Sequence, residues 1–306
     1  MDELLPENYR SGFVAVIGRP NVGKSCLLNA LLKQKIAIVS PRPQTTRQRQ
    51  LGILTGPDHQ MIFIDTPGLI PSPRHKLDEF MLRVTNEVLA DADVVLWLVD
   101  GSVPPQLEDE AIARRLADLF EQSRVILAIN KLDLLQPAEV LPRSEAYRAL
   151  LPDAPWIMLS AEKSLGLDEL YTMLVAALPP GPQYYPEDQV TETYVRQIAA
   201  EMIREQILIQ LWDEVPHGAA VSVAEFKERD NGVTYIQATI FVERETHKKM
   251  LIGKEGRQLR QIGEAARKEI SDMLGAPVFL DLWVKVAPNW RRDERFLRQL
   301  GYAEEA

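Results

Sequence analysis

The chain has 306 residues and a single cysteine, Cys26. One thiol excludes an intramolecular disulfide and any cysteine metal cluster, and it fits a reducing cytoplasm. Long apolar runs are missing as well. The strongest, 94–99 and 125–129, have the length of buried strands and fall far short of the ~20 residues that a membrane-spanning helix needs. The opening MDELLPENYR is acidic and carries no apolar stretch, so no signal peptide is expected. Positive charge is not in excess: the formal net charge of −9 argues against a general polyanion binder, and charge has to be read segment by segment. Internal repeats and low-complexity tracts are also lacking. What remains is an ordinary globular composition, 46% hydrophobic, at a length that suggests two domains.

From 13 to 178 short apolar strands alternate with amphipathic helices. Strands are predicted at 13–17, 61–64, 94–99, 125–129 and 156–159, and helices near 24–32, 75–89, 108–120, 144–150 and 166–178. This alternation predicts parallel β-α-β units, and the right-handed crossover rule makes them one doubly wound α/β sheet. The texture changes at 179, where PPGPQYYPEDQ carries Pro179, Pro180, Pro182 and Pro186 and reads as a semi-rigid linker. Beyond it come a helix over 190–212, two alternating stretches at 221–229 and 233–242 around Asn231-Gly232, a helix near 255–273, a strand at 278–286 and a basic helical tail. Asn-Gly between alternating stretches is a hairpin signal. The order α-β-β-α-α-β does not continue the first domain, so the expected division is 1–178, a linker at 179–190, and a smaller α+β domain at 191–306.

Gly18-Arg19-Pro20-Asn21-Val22-Gly23-Lys24-Ser25 matches GxxxxGK(S/T) between a strand and a helix, the context that this phosphate-binding loop requires. Its glycines let backbone N–H groups turn inward and the helix N-terminus adds its positive end. Lys24 is expected on the β- and γ-phosphates and Ser25 on Mg²⁺. Asp65-Thr66-Pro67-Gly68 follows a strand 41 residues after Lys24; Asp65 can hold Mg²⁺ through water, and the Gly68 N–H can meet a γ-phosphate. Asn130-Lys131-Leu132-Asp133 selects guanine over adenine, because a carboxylate at 133 accepts from guanine N1–H and the N2 amino group, and adenine offers neither. Ser160-Ala161-Glu162 stands where a backbone N–H would meet guanine O6. In the polar stretch Pro43-Gln44-Thr45-Thr46-Arg47 a threonine hydroxyl can complete the Mg²⁺ shell, with Thr46 favoured over Thr45; a merely solvated loop is the alternative.

Five motifs in this order resemble the translation-factor-type GTPases of the Era, Der and tRNA-modification group. The resemblance implies GTP and GDP as ligands with Mg²⁺. In that group an apolar residue follows DTPG, here Leu69, where Ras-type enzymes carry a water-orienting glutamine, which implies slow unaided hydrolysis or orientation of the water by other means. Asn21 matches the asparagine that in some of these families helps to hold K⁺ beside the phosphates. Cys26 departs from the usual threonine after GKS.

Met250-Leu251-Ile252-Gly253-Lys254-Glu255-Gly256-Arg257 contains GxxG after two strands, between two helical segments and before a third strand. That is the KH arrangement, whose GxxG clamps the backbone of single-stranded RNA. Between 247 and 271 seven Lys/Arg, among them Lys248, Lys249, Lys254, Arg257 and Arg260, face three Glu, a positive island on an acidic chain. A solvated helix face with i,i+4 pairs is the plainer alternative. In the tail, Phe296, Leu297 and Leu300 are expected to pack on the sheet. The combination resembles the bacterial Era family over essentially the whole length, through GRPNVGKS, PQTTRQR, DTPGL, NKLD, FVERETHKKMLIGKEG and LWVKVAPNWRRDERFLRQLGY. That resemblance implies a type II KH domain, binding to the 3′ end of 16S ribosomal RNA, assembly of the small ribosomal subunit, and peripheral association with the inner face of the cell membrane. Two rivals stay open. A tRNA-modification GTPase usually needs a C-terminal catalytic cysteine, whereas Cys26 sits in the phosphate loop. An RNA chaperone would use its GTP site only to stabilise the fold.

Overall fold

The computed structural model describes Pro6, Arg42 and residues 8–40, 45–67, 75–121 and 124–302. The chain divides into two compact units. One takes in Met1–Ala37, Thr46–Ser72 and Met81–Glu192; the other takes in Ile38–Thr45, Pro73–Phe80 and Thr193–Ala306.

The first unit is a six-stranded sheet in the order β2-β3-β1-β4-β5-β6. Its strands are β1 (Arg10–Ile17), β2 (Gln50–Gly56), β3 (His59–Asp65), β4 (Val94–Asp100), β5 (Val125–Asn130) and β6 (Trp156–Met158), and its helices are α1 (Lys24–Leu32), α2 (Lys76–Asp91), α3 (Leu107–Leu119), α4 (Pro137–Arg148) and α5 (Leu167–Ala177). Val14, Val16, Phe63 and Leu96 pack with Leu27 and Leu28 of α1 and Leu170 and Leu174 of α5. The alternate residues Ala15, Ile17, Val95 and Trp97 are equally buried, so the strands are covered on both faces, as their unbroken apolar runs require.

Three local readings of the sequence change. The sheet is not wholly parallel, because β2 pairs antiparallel with β3 at the edge. Leu51 and Ile53 bury against Ile62, and Gly52 lies against Leu28, Leu32 and Ile36, where a Cβ would come within 2.6 Å of Leu32. Helix α4 starts at Pro137, seven residues earlier than expected, because Gln136 and Glu139 form a capping box and proline suits the first helical position. The proline-rich stretch read as a semi-rigid linker is hydrogen-bonded within the first unit, which extends to Glu192. Ser11 N–H donates to the Pro179 carbonyl, Gly181 N–H to that of Tyr9, and the Gln60 carboxamide accepts from Tyr184 and Tyr185 N–H. Prolines lose donors but keep carbonyls, and β1 supplies the donors they need.

The second unit carries a three-stranded sheet, β7 (Ala220–Glu228), β8 (Thr234–Val242) and β9 (Val278–Val286), with β7 antiparallel and β9 parallel to the central β8. One face is covered by α6 (Val195–Gln210), α7 (Glu245–Ile252) and α8 (Arg257–Leu274), whose Ile198, Ile207, Leu251 and Ile262 pack on Ile236, Ala238 and Ile240. This is the type II KH arrangement. The β7–β8 hairpin closes through three residues: Gly232 takes φ +74°, and its N–H donates to the Arg229 carbonyl. The turn is therefore a three-residue loop with glycine in the left-handed position, not the two-residue form that Asn-Gly also permits.

The tail packs as expected. Phe296 of α9 (Glu294–Gln299) meets Phe241 edge-on at 5.0 Å, Leu297 is buried, and the Trp290 indole N–H donates to the Gly218 carbonyl at 2.8 Å. Segment 38–45 belongs to this unit through polar contacts with α6. Val39 N–H donates to the buried Glu205 at 2.7 Å, Arg42 donates to the Leu208 and Leu211 carbonyls, and the fully buried Arg204 donates to the Thr45 carbonyl. Among the described residues no helix is long and apolar enough to cross a membrane.

Trp290→Ala empties a buried indole site and strands the Gly218 carbonyl. The expected cost is about 3–5 kcal/mol, read by urea unfolding; a loss below about 1 kcal/mol would mean that the tail does not stabilise this unit.

Candidate functional site

Six residues join β1 to α1, and their backbone admits little but glycine at two positions. Gly18 has φ +151°, and a Cβ there would lie 2.2 Å from the Leu98 carbonyl oxygen. Gly23 has φ +105°, and its Cβ would lie 2.3 Å from the Asn130 amide nitrogen. Asn21 takes a left-handed φ of +65°, which asparagine tolerates. Pro20 is half-buried and Val22 buried. Lys24 is buried, and its ammonium donates to the Gly18 and Arg19 carbonyls at 3.1 and 3.0 Å. Burial pushes its pKa down to about 8, with Asp65 pulling in the opposite direction. The Arg19 guanidinium is committed elsewhere: Nε donates to Asp109 Oδ1 at 2.8 Å, so only its backbone is left to serve the loop.

Ser25, Thr46 and Asp65 converge from three segments. The Ser25 hydroxyl donates to Asp65 Oδ2 at 2.7 Å and lies 3.0 Å from the Thr46 hydroxyl, which donates to the same oxygen at 3.2 Å. The second oxygen, Asp65 Oδ1, is buried and has no hydrogen-bond partner among the described residues. Burial raises the Asp65 pKa against the opposing pull of Lys24 and the two hydroxyls. Two hydroxyls and a carboxylate with one unanswered oxygen fit a hard divalent cation such as Mg²⁺. Thr45 is not part of this group, because its hydroxyl donates to the Arg42 carbonyl. Arg47 is buried, Thr66 donates to the Val16 carbonyl at 2.9 Å, and Pro67 accepts from Thr85. Gln44, Gly68 and Leu69 lie outside the described residues.

Asn130, at the end of β5, ties three loops together. Its amide donates to the Val22 carbonyl at 2.8 Å, and its oxygen accepts from Ala161 N–H at 2.9 Å. Lys131 sits at φ +66° with its ammonium 2.6 Å from Asp100 Oδ2, and Asp133 is exposed on the following turn. Burial works against ionised Asp100, but the hydrogen bonds from Lys131 and Ser102 outweigh it and lower its pKa. Ser160 is buried, and its hydroxyl accepts from Lys163 N–H at 3.1 Å, while Glu162 is exposed. Cys26 is half-buried; burial raises its pKa, and the charges of Glu162 and Asp133 add to that. The structure thus brings the phosphate loop and both base loops of the sequence reading to one place.

In the second unit α7 ends at Gly253, whose Cβ would lie 2.7 Å from that of Gln258. Lys254 and Glu255 follow in a tight turn with Glu255 at φ +54°, and Gly256 at φ +74° opens α8, with open space where its Cβ would be. Lys249, Lys254, Arg257 and Arg260 are exposed, and Lys248 and Ile252 are half-buried. Next to the turn lies a groove of 330 Å³ between α8 and β9, lined by Gly256, Arg260, Gly263, Arg267, Leu280 and Leu282. An apolar floor between cations suits an unstacked base with its phosphate.

Several contributors escape sequence reading. Asp109 shows in the sequence as the Gln106–Asp109 capping box, but its grip on Arg19 spans 90 positions. Asp100 is the last residue of β4, and only the pairing Asp100↔Asn130 brings it to Lys131. Gly263 lies inside a helix, and its use appears only where α8 approaches Leu282, 3.2 Å from its Cβ position.

Asn130→Ala leaves the Val22 carbonyl and the Ala161 N–H without their partner, at about 1–3 kcal/mol per group. Because Asn130 braces the phosphate loop and the base loop through backbone groups present whichever nucleotide is bound, GDP and a non-hydrolysable GTP analogue are both expected to lose affinity by tenfold or more, the same order as one such loss. Titration with fluorescent analogues measures this, and a loss confined to the triphosphate would contradict it.

Comparison with known proteins agrees with this geometry. The family model described as 50S ribosome-binding GTPase matches residues 13–131, and that of the KH domain matches 214–291. GTPase Era of Ruminiclostridium cellulolyticum is 45% identical over 295 residues, covering 96% of this chain and 98% of that protein, and GTPase Era of Halothermothrix orenii is 45% identical over 295 residues, covering 96% and 99%. Among solved structures, a point variant of Aquifex aeolicus Era bound to GDP·AlF4⁻ superimposes with a TM-score of 0.92 at 38% identity, covering 96% of this chain and all of that one. Era in complex with MgGDPNP and nucleotides 1506–1542 of 16S ribosomal RNA gives 0.92 at 39% identity, covering 97% and 100%. With 45% identity to curated Era proteins over 96% of its length, the chain belongs to the Era family of GTPases.

Proposed function

We propose that this GTPase is a switch that binds GTP with Mg²⁺, binds the 3′ end of 16S ribosomal RNA through its KH domain, and assists maturation and assembly of the small ribosomal subunit. The observation that carries this reading is the convergence of Ser25, Thr46 and a buried Asp65, whose Oδ1 meets no donor among the described residues, on a chain that also bears the Gly253–Gly256 turn. The relative crystallised with MgGDPNP and 16S nucleotides supports it. The reading divides the chain into a GTPase domain over 1–178, a proline-rich linker at 179–190 and the KH domain with its tail at 191–306. Association with the inner face of the membrane is a further part of the proposal and rests on family resemblance alone.

Within this reading the chain's own groups do the following. Backbone N–H groups from Gly18 to Ser25 enclose the phosphates, and Lys24 exchanges its two loop carbonyls for β- and γ-phosphate oxygens. Ser25 and Thr46 orient hydroxyls toward Mg²⁺, with Asp65 behind them through water; the ion, when bound, neutralises charge on the phosphates. Asp133 accepts from the guanine edge, Lys131 is held in place by Asp100, and the Ala161 backbone faces O6. Leu69 supplies no amide to orient water, which leaves unaided hydrolysis slow. Thr45, whose carbonyl Arg204 holds, directly precedes Thr46, so a change at Thr46 reaches segment 38–45 through one peptide unit. On the KH side, Gly253, Gly256 and the cations from Lys248 to Arg260 clamp single-stranded RNA, with the α8–β9 groove taking a base.

Two variants test the two halves. Asp133→Asn replaces an acceptor pair by one acceptor and one donor. It is expected to weaken GTP about a hundredfold or more and to admit xanthosine triphosphate, whose C2 oxygen accepts from the new amide. Undiminished GTP affinity would sink the guanine assignment. Gly256→Asp places a carboxylate where a phosphate must approach the backbone. Affinity for an oligonucleotide of the 16S 3′ end should fall about tenfold or more while GTP affinity stays unchanged. If the oligonucleotide binds as before, the GxxG turn is not its site.

A further inference from the structure

The KH sheet has a second face, and it carries chemistry that the RNA groove does not use. Side chains opposite one another in the ladder share a face, so the outward residues form rows across the sheet. One row is Lys227, Tyr235 and Phe279, and the next is Glu225, Gln237 and Asp281. Trp283 follows on β9 two positions beyond Asp281. Near the far end the face is covered by Phe296 on Phe241, but Phe279 and Trp283 are 56% and 55% exposed. With Tyr235 they form a contiguous aromatic patch on this face, and it is contiguous patches that mark interaction sites.

Asp281 organises this patch. Its Oδ2 accepts from the Trp283 indole N–H at 3.0 Å, the Tyr235 hydroxyl at 3.3 Å and the Gln237 amide at 3.4 Å. Three donors on one oxygen fix the rings, while Oδ1 accepts nothing from the described residues. A carboxylate oxygen therefore faces outward between two aromatic surfaces, Tyr235 stacked with Phe279 at 5.8 Å on one side and Trp283 on the other. One of these surfaces already holds a cation, since the Arg229 guanidinium lies 4.3 Å from the Tyr235 ring centre. The Trp283 surface carries no such cation from the described residues.

We infer that this face is a docking surface for an arginine-bearing segment of a protein partner, with a guanidinium stacked on Trp283 and donating to Asp281 Oδ1. Planar guanidinium satisfies stacking and carboxylate pairing at once, which the compact lysine ammonium does not. The Asp281–Glu225 row disfavours a phosphate backbone locally, although Lys227, Arg229 and Lys285 stand on the same face. Asp281 and Glu225 stand in one row, about 10 Å apart across two strand spacings, and both repel a phosphate backbone. Glu225 is exposed, so the row adds a second carboxylate for a basic segment crossing the sheet. Lys227 and Lys285 flank the patch at its two ends and leave the acidic row between them open. The proposal does not depend on the RNA or GTP assignments above.

The test uses the full-length protein with a fluorescent Arg-Gly repeat peptide, its Lys-Gly counterpart and the 16S 3′ oligonucleotide, followed by anisotropy. The Arg peptide is expected to bind about tenfold more tightly than the Lys peptide. Trp283→Ala and Asp281→Asn should each weaken it about tenfold, whereas Trp283→Phe should keep most of the affinity. GTP affinity and far-UV circular dichroism, unchanged in all three variants, exclude unfolding as the cause. Trp283→Ala does not alter net charge, so a peptide merely attracted to an acidic protein would bind that variant normally and overturn the proposal. So would a gain of RNA affinity in Asp281→Asn together with its loss in Trp283→Ala, the pattern of a base-stacking platform.

Discussion

Two opposite charges are buried at the carboxyl ends of β1 and β3, and the protein answers neither completely. Lys24 is held by two loop carbonyls that a phosphate can replace, and Asp65 keeps one oxygen without a donor among the described residues. Burying charge is costly unless it is paired and hydrogen-bonded. The arrangement persists because parallel strands, covered on both faces, deliver their C-terminal ends to one edge and leave these residues no route to water. Much else serves this placement. Gly18 and Gly23 let the loop pass within contact of Leu98 and Asn130, and Asn130 fixes that loop to the base-recognition turns. A triphosphate with its cation completes both charges together, so binding and local order are coupled.

The second unit uses one strand for two purposes. Period-two alternation along β9 sends Leu280 and Leu282 inward to floor the α8 groove and sends Phe279, Asp281 and Trp283 outward. The two sides carry different groups: Arg260 and Arg267, with Glu264, border the groove, and the open face carries the Asp281–Glu225 row between Lys227 and Lys285. One small domain can thereby present a surface for an anion and another for a cation without either interfering. The same unit takes in residues 38–45 by burying Arg204 and Glu205 on α6, each hydrogen-bonded to the backbone of that segment. A buried charge of this kind specifies one conformation of its partner, and here the partner runs directly into Thr46.

Much of this was legible in the sequence, and the reasons are local. GRPNVGKS, DTPG and NKLD each encode a backbone path or a side-chain acceptor within a few residues, and each follows an apolar run that can only be a buried strand. GxxG carried little by itself and gained meaning from the α-β-β-α-α-β order around it. Edges were harder. QLGILTG lacks the unbroken apolar character of the central strands, because β2 is an edge strand with one neighbour, and its antiparallel pairing went unseen. The stretch after Leu178 read as a spacer because proline removes donors, yet its carbonyls found donors on β1.

By itself the sequence determined that there are two domains and which ligand classes they are built for, and it pointed to candidate residues for phosphate, guanine and RNA recognition, since those readings depend on contiguous motifs. Only the tertiary structure decided which threonine joins Ser25 and Asp65, that Asp109 draws Arg19 away from the loop, that Asp100 steadies Lys131, and that Asp281 holds three outward side chains around an open oxygen. The physical reason is the same each time. These pairs lie up to 90 positions apart or on different strands, and hydrogen-bond geometry at about 3 Å is set by register and packing, which no local pattern of residues records.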